Sequence, residues 1–177
     1  FDTLQTFNTS GYKISYRDES TNAQKRVAYY HMAAVNRCGV LTSRSDTLNN
    51  LLLSVEKENL TNTLRWNELS QVPGTDVQYQ INRKIGDEME FRFLETTYHE
   101  PYYDRDIETY QGQNDSSQFC YLTQADITQN DSLQTLIRSN APCVYIRPQI
   151  FIPNAFTPNG DGKNEAFQPE FTFSPQN

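Results

Sequence analysis

No apolar run in this chain approaches the roughly 20 residues that a helix needs to cross a bilayer. Nor does any stretch concentrate Lys and Arg. Fifteen basic residues against 22 acidic ones leave a formal net charge of −7. The isoelectric point is near 4.8. The phosphate-neutralising surface of a nucleic-acid binder is therefore missing, and nucleic acid is excluded as a partner. The opening FDTLQTFNTS has neither the basic start nor the apolar core of a signal peptide. For an exported protein, that signal would have been removed or would lie outside this chain. Recognisable catalytic patterns are absent too: no Gly-rich phosphate loop after a strand, no nucleophile elbow and no His/Cys spacing typical of zinc. His31 alternates with Tyr30 and Met32 and reads as a strand-surface residue. The expectation is a non-enzyme.

What is present favours strands. In 177 residues there are eleven Tyr and ten Phe, and 36% of the chain is hydrophobic, enough for a core despite a mean hydropathy of −0.75. Aromatic, Thr and Ile/Val-containing segments are broken by Asn, Asp, Ser, Gly and Pro clusters, which predicts an antiparallel all-β protein. The length fits one ordinary domain or two small ones.

Along the chain, Ala28 to Asn36 alternates with Tyr30, Met32 and Ala34 on one face, and Cys38-Gly39 closes it. The Leu-rich run Thr47 to Val55 reads as a buried strand in preference to a short helix. Leu64-Arg65-Trp66 follows, with a buried Trp. After the Gln71 to Gly74 turn, Val77, Tyr79 and Ile81 share the face of the next strand. Gly86-Asp87 turns the chain into Met89 to Leu94. The last expected strands are Phe119 to Ala125 and Cys143 to Ile152, behind a polar stretch from Gln111 to Gln118. Strands at this spacing predict a sandwich.

The chain also repeats itself. Tyr16-Arg17-Asp18, then Tyr30 and Ala34-Val35-Asn36, parallels Tyr102-Tyr103-Asp104, then Tyr121 and Ala125-Asp126. The second copy has the Trp66 and Tyr79 strands ahead of it, whereas the first has about fifteen residues. Residues 1–55 are therefore expected to be the C-terminal part of a module whose beginning is absent.

Three cysteines allow two readings. All three could be buried thiols. Alternatively, Cys120 and Cys143, each in a strand-like run, come within bridging distance as a disulfide. Cys38 is the odd one, with any partner lying outside this chain.

In their order, Leu64-Arg65-Trp66, Tyr79 to Arg83, and Tyr121-x-x-x-Ala125 resemble a fibronectin type III repeat over residues 56–150, an Ig-like β-sandwich. More specific is Ile150-Phe151-Ile152-Pro153-Asn154-Ala155-Phe156-Thr157-Pro158-Asn159-Gly160-Asp161-Gly162-Lys163-Asn164-Glu165-Ala166-Phe167. It closely resembles the opening of the gliding motility-associated C-terminal domain, the type B sorting signal of the type IX secretion system of Bacteroidota. Glu165 stands where the family usually has Asp, and the family's further strands do not follow within this chain. The resemblance makes residues 151–177 the start of a sorting domain. Pro153, Asn154, Phe156, Thr157, Pro158, Asn159, Gly160, Asp161 and Gly162 form its motif. It implies a secreted, cell-surface, outer membrane-associated adhesin or gliding protein. The implied partners are the type IX secretion machinery, outer-membrane anchoring components, and a surface glycan or a host or substratum ligand. Bacteroidota also O-glycosylate exported proteins at Asp, then Ser or Thr, then a small or apolar residue. That pattern marks Thr3, Thr47 and Ser132.

Two clusters could carry chemistry. Asn159, Asp161, Asn164 and Glu165 resemble part of an oxygen-rich calcium loop. The simpler reading is an Asx turn with Gly at positive φ, because Thr157 and Gln168 fall where the outer ligands would stand. Tyr98-His99-Glu100-Pro101-Tyr102-Tyr103-Asp104-Arg105-Asp106 could stack a pyranose and bind its hydroxyls, as in a carbohydrate-binding module. The favoured reading is an ordinary strand with a solvated turn.

Overall fold

Apolar side chains at every second position give each strand one buried face, and these faces dictate how the elements assemble. The computed structural model describes residues 2–8, 14–70, 73–110, 118–146, 150–152, 158, 160–161, 166–167 and 170–171. Its strands are β1 (Tyr29–Tyr30), β2 (Ala33–Val35), β3 (Leu41–Arg44), β4 (Leu48–Asn49), β5 (Leu53–Glu58), β6 (Thr61–Trp66), β7 (Asp76–Ile85), β8 (Arg92–Thr97), β9 (Tyr102–Asp104), β10 (Gln118–Gln129), β11 (Ser132–Arg138), β12 (Cys143–Tyr145), β13 (Ile150–Phe151) and β14 (Glu170–Phe171). A 3-10 turn spans Asp106–Tyr110. The protein is antiparallel and all-β, as expected.

Residues 51–146 form a two-layer unit. One layer is the three-stranded sheet β5-β6-β9; the other is five-stranded, ordered β11-β10-β7-β8, with β12 also on β10. Leu51, Leu53, Leu64, Trp66 and Ile107 meet Tyr79, Ile81, Phe119, Tyr121, Ala125 and Ile127 in one core. Trp66 is 5% exposed and packs on Tyr79 at 5.1 Å between ring centroids. The buried Trp and the inward Tyr79 and Ile81 follow from the alternation of their strands.

Several boundaries differ from expectation. The Leu-rich run is not one strand: β4 ends at Asn49, and Leu51 and Leu53 enter the core beside β6. Met89 lies outside β8 and is 97% exposed. The Gly86-Asp87 turn runs on instead, with Glu88 Oε2 accepting from the Ile85 amide at 2.9 Å. β11 has no counterpart in the sequence reading. It is made by a two-residue hairpin in which Asn130 (φ 49) and Asp131 (φ 60) both take the left-handed backbone that such turns require.

Residues 28–49 form a narrower ribbon. The expected single strand from Ala28 to Asn36 is split into β1 and β2, paired with β4 and β3 respectively. Ser45 bridges the gap, its amide donating to the Met32 carbonyl and its hydroxyl accepting from the Met32 amide, both at 2.8 Å. Asn36 Oδ1 accepts from the Cys38 and Val40 amides, closing the turn at Gly39. Met32 is 70% exposed, and among the described residues no second sheet covers the Tyr30/Met32/Ala34 face.

Cys120 and Cys143 are directly opposed on β10 and β12 and form a disulfide. Cys38 is a free, exposed thiol. The bridge closes a loop with a sequence separation of 23, which restricts the unfolded chain by about 3 kcal/mol in the loop-entropy model. Urea unfolding of the oxidised protein and of Cys120→Ala/Cys143→Ala should differ by roughly that amount. Equal midpoints would show that the bridge does not restrain the unfolded chain.

Candidate functional site

The alternation that turns Tyr79 and Ile81 inward also turns Arg83 inward, and it is 5% exposed. A guanidinium in an apolar core needs an anion and filled hydrogen-bond positions. Asp104, at the end of β9 in the opposite sheet, supplies them. Arg83 Nη1 donates to Asp104 Oδ1 and Oδ2 at 2.7 and 2.6 Å. Nη2 donates to the Tyr110 hydroxyl at 2.9 Å, and the guanidinium lies 4.9 Å from that ring's centroid. Tyr121 donates its hydroxyl to Asp104 Oδ2 at 2.8 Å and accepts from Asn62 Nδ2 at 2.6 Å. The Asp106 amide donates to Asp104 Oδ1 at 3.2 Å, an Asx turn. Burial opposes the Arg83 charge, but the Asp104 hydrogen bond and charge raise its pKa above the ordinary value.

A second polar cluster joins the ribbon to the two-layer unit. Asn50 Oδ1 accepts from the Ala28 amide, and Asn50 Nδ2 donates to the carbonyls of Ala23 and Arg26. The Asn50 carbonyl accepts from Asn67 Nδ2, while Asn67 Oδ1 accepts from the Leu52 amide at 2.7 Å. Asn49 donates to the Glu68 carbonyl and accepts from the Ser70 amide. At the other side of β5, Asn140 pairs with both the amide and the carbonyl of Leu53. The connection is thus a clamped joint of side-chain amides that satisfy backbone groups.

No family model matches the chain, and no curated protein does. Among solved structures, a crystal structure of the pectate lyase Pel3 from Pectobacterium carotovorum is similar over 55% of this chain and 27% of its own, with 13% identity and a TM-score of 0.39. This chain spans about a quarter of that protein, and a likeness of this size carries no argument.

The polar-aromatic cluster from Tyr98 to Asp106 is divided by the fold. Asp104, offered above as a ligand for sugar hydroxyls, is 1% exposed and committed to Arg83 and Tyr121. Tyr98, His99 and Glu100 border a shallow concavity of about 220 Å³ with Trp66, Glu68 and Tyr79. The Trp66 and Tyr79 rings are buried in the core, so neither offers an open face for stacking. Glu100 Oε2 is already bonded to the Trp66 amide at 3.1 Å. His31 lies between β1 and β2, next to an exposed Met32.

The remaining candidates fall as follows. Thr3 and Ser132 are exposed and Thr47 is half-buried. Asn159, Asn164 and Glu165 lie outside the described residues, as do Pro153, Asn154, Phe156, Thr157 and Gly162. Gly160 has a φ of 78°, as an Asx-turn reading requires, and Asp161 is exposed. Among the described residues, no three His, Cys, Asp or Glu side chains are grouped to hold a metal. Ile150–Phe151 form β13, paired antiparallel with β14. Arg83 and Asn50 were missed by sequence reasoning. The inward parity of Arg83 with Tyr79 and Ile81 was the available signal; for Asn50 no local pattern existed.

The network has an alkaline signature. Burial first, then the Asp104 charge, pushes the Tyr121 phenol far above its ordinary value. The same two causes push Tyr102 up to about 12. A phenol whose pKa is raised by folding contributes stability that is complete below its unfolded value near 10 and is lost as pH rises past it. Phenolate absorbance on raising pH should therefore show Tyr121 ionising only with cooperative unfolding and Tyr102 ionising later than the exposed tyrosines. Smooth titration of all eleven tyrosines in a folded protein would contradict the buried geometry.

Proposed function

We propose that the chain is a non-catalytic C-terminal region of a secreted cell-surface protein, acting as a stiff spacer that leads into an export and anchoring signal. The observation that carries the spacer reading is the clamped joint at Asn50. A freely jointed connection would be a solvated, Gly/Ser-rich segment. The chain here instead passes from ribbon to two-layer unit through bonded asparagines and two buried leucines, Leu51 and Leu53. Such a joint transmits orientation from one unit to the next, as a stalk holding a distal region away from the cell must.

In this reading the two-layer unit is a fibronectin type III-like, Ig-like sandwich. In support, its chain crosses between sheets after β6, β8 and β9, and an aromatic pair is buried across the sheets, at Trp66 and Tyr79. The export reading is supported by the run from Ile150 to Phe167 and its resemblance to the type B sorting domain of type IX secretion. The partners would be that machinery and its outer-membrane anchoring components. The O-glycan positions would be Thr3, Thr47 and Ser132, of which Thr3 and Ser132 are open to solvent. Calcium at the Asn159 to Glu165 loop is not needed by this function.

The test is made in the full-length parent. Disrupting Pro153, or Asn159 to Asp161, should leave the protein inside the outer membrane and abolish surface labelling. Normal surface display of such variants would sink the export reading. Saturable binding of a glycan by residues 51–146 in calorimetric titration would sink the spacer reading.

A further inference from the structure

The hydrogen-bond geometry around Asp104 recurs at Asp18. Tyr121 donates to Asp104 Oδ2 at 2.8 Å, and Tyr30 donates to Asp18 Oδ2 at 2.8 Å. The amide two residues on donates to the other oxygen in both: Asp106 to Asp104 at 3.2 Å and Ser20 to Asp18 at 2.8 Å. After each tyrosine the chain keeps its spacing, with Ala34 four residues beyond Tyr30 and Ala125 four beyond Tyr121. Each strand then turns into an antiparallel partner through an irregularity in register, between Ala34 and Val35 in one case and between Ile127 and Thr128 in the other. Sequence repeat and clasp geometry thus identify the ribbon with the β10–β11 end of the two-layer unit.

The two copies differ in what covers them. β7 lies along the free edge of β10, with Arg83 opposite Tyr121, Ile81 opposite Thr123 and Tyr79 opposite Ala125. This puts the guanidinium on the aspartate and two apolar side chains over the inner face. Among the described residues, β1 pairs only with β4 and β2 only with β3. No Lys or Arg among the described residues forms an ion pair with Asp18. Met32, 70% exposed, and the exposed Ala34 stand two and four residues beyond Tyr30, where Thr123 and Ala125 beyond Tyr121 are both 0% exposed.

We infer that the open edge of Tyr30–Val35 is a docking surface for an antiparallel strand of the pattern apolar-x-apolar-x-Arg, whose arginine seats on Asp18 and whose apolar residues cover Met32 and Ala34. The occupant is a β7-like strand from a further repeat of the same polypeptide. Charge and register select it: the anion sits beside Tyr30, where Arg83 stands beside Tyr121, and the apolar positions follow at the same two-residue intervals. Recognition is strand addition, with main-chain bonds giving affinity and the alternating pockets giving specificity. This inference rests on the two clasps and not on the export reading.

The probe is a synthetic peptide with the sequence of Asp76–Ile85, titrated into the 177-residue chain and followed by amide NMR. Saturable binding is expected, with shifts and new exchange protection confined to Tyr30–Val35. A peptide carrying Arg83→Glu, or a chain carrying Asp18→Asn, should bind at least about tenfold more weakly, the size of a lost charge-assisted bond. The Asp18→Asn chain should keep the melting of the two-layer unit, since the bonds of Asp18 are to Ser20 and Tyr30, outside residues 51–146. No saturation, or binding indifferent to both substitutions, would overturn the inference. A concentration-dependent dimer of the chain alone, with contacts on Tyr30–Val35, would overturn it too by giving that face to a second copy.

Discussion

A guanidinium has to sit between two sheets in this protein, and much of the two-layer unit is arranged around that requirement. Arg83 comes from β7, its anion from β9 in the opposite sheet, and the closing hydroxyl and amide from β10 and β6. Four strands and both layers therefore meet in one polar network inside an apolar core. Desolvating the two charges costs several kcal/mol per ion, and their attraction offsets that only with good geometry and filled hydrogen-bond sites. Arg83 Nη1 bonds both carboxylate oxygens, and the Tyr121, Tyr110 and Asp106 bonds complete the pair's surroundings. Asn62 Oδ1, at the edge of the network, is buried with no hydrogen-bond partner among the described residues. What the network adds beyond stability is register. A one-residue slip of β7 would turn Arg83 outward and leave Asp104 buried with no cation.

That arrangement bears on function. Large pKa displacements in a cleft mark catalytic groups, but ion-pair networks displace them equally. Here Arg83, Tyr121, Tyr102 and Tyr79 are raised in or against the core, and Tyr30, raised by burial and by its bond to Asp18, lies on the ribbon. Arg83 and Tyr121 both bond Asp104 in the opposite sheet and so hold one sheet against the other. The same economy governs the joint, where Asn49, Asn50, Asn67 and Asn140 satisfy backbone groups that a flexible linker would leave to water. A protein whose polar interior fixes geometry at two successive places suits a part that positions other parts.

How much of this was legible follows from the range of each interaction. Period-two alternation revealed β7 and β10, the buried Trp66 and the inward Tyr79 and Ile81, because facing is a local property of a strand. Opposed cysteines in two strand-like runs made the Cys120 to Cys143 bridge readable. The Tyr-x-Asp repeat was visible, but its meaning was not. That Asp18 and Asp104 each receive a tyrosine hydroxyl depends on residues 12 and 17 positions away. The same distance problem hid Arg83, which looks like a surface charge until Asp104 is placed across the core. β11 was lost because Asn130-Asp131 lacks the glycine that marks most two-residue hairpins, although both residues tolerate positive φ. Alternation placed Tyr30, Met32 and Ala34 on one face, yet Met32 is 70% exposed, since among the described residues no second layer covers the ribbon.

Arg83 and Asp104 act as one unit, on which the packing of the two layers stands. The direct measurement is the unfolding free energy of Arg83→Met, Asp104→Leu and the double variant, by urea denaturation with the disulfide intact. Each single change should cost about 3–5 kcal/mol by stranding a buried charge, and the double variant should cost less than either alone. Single losses below about 1 kcal/mol, or losses that simply add in the double variant, would contradict the account.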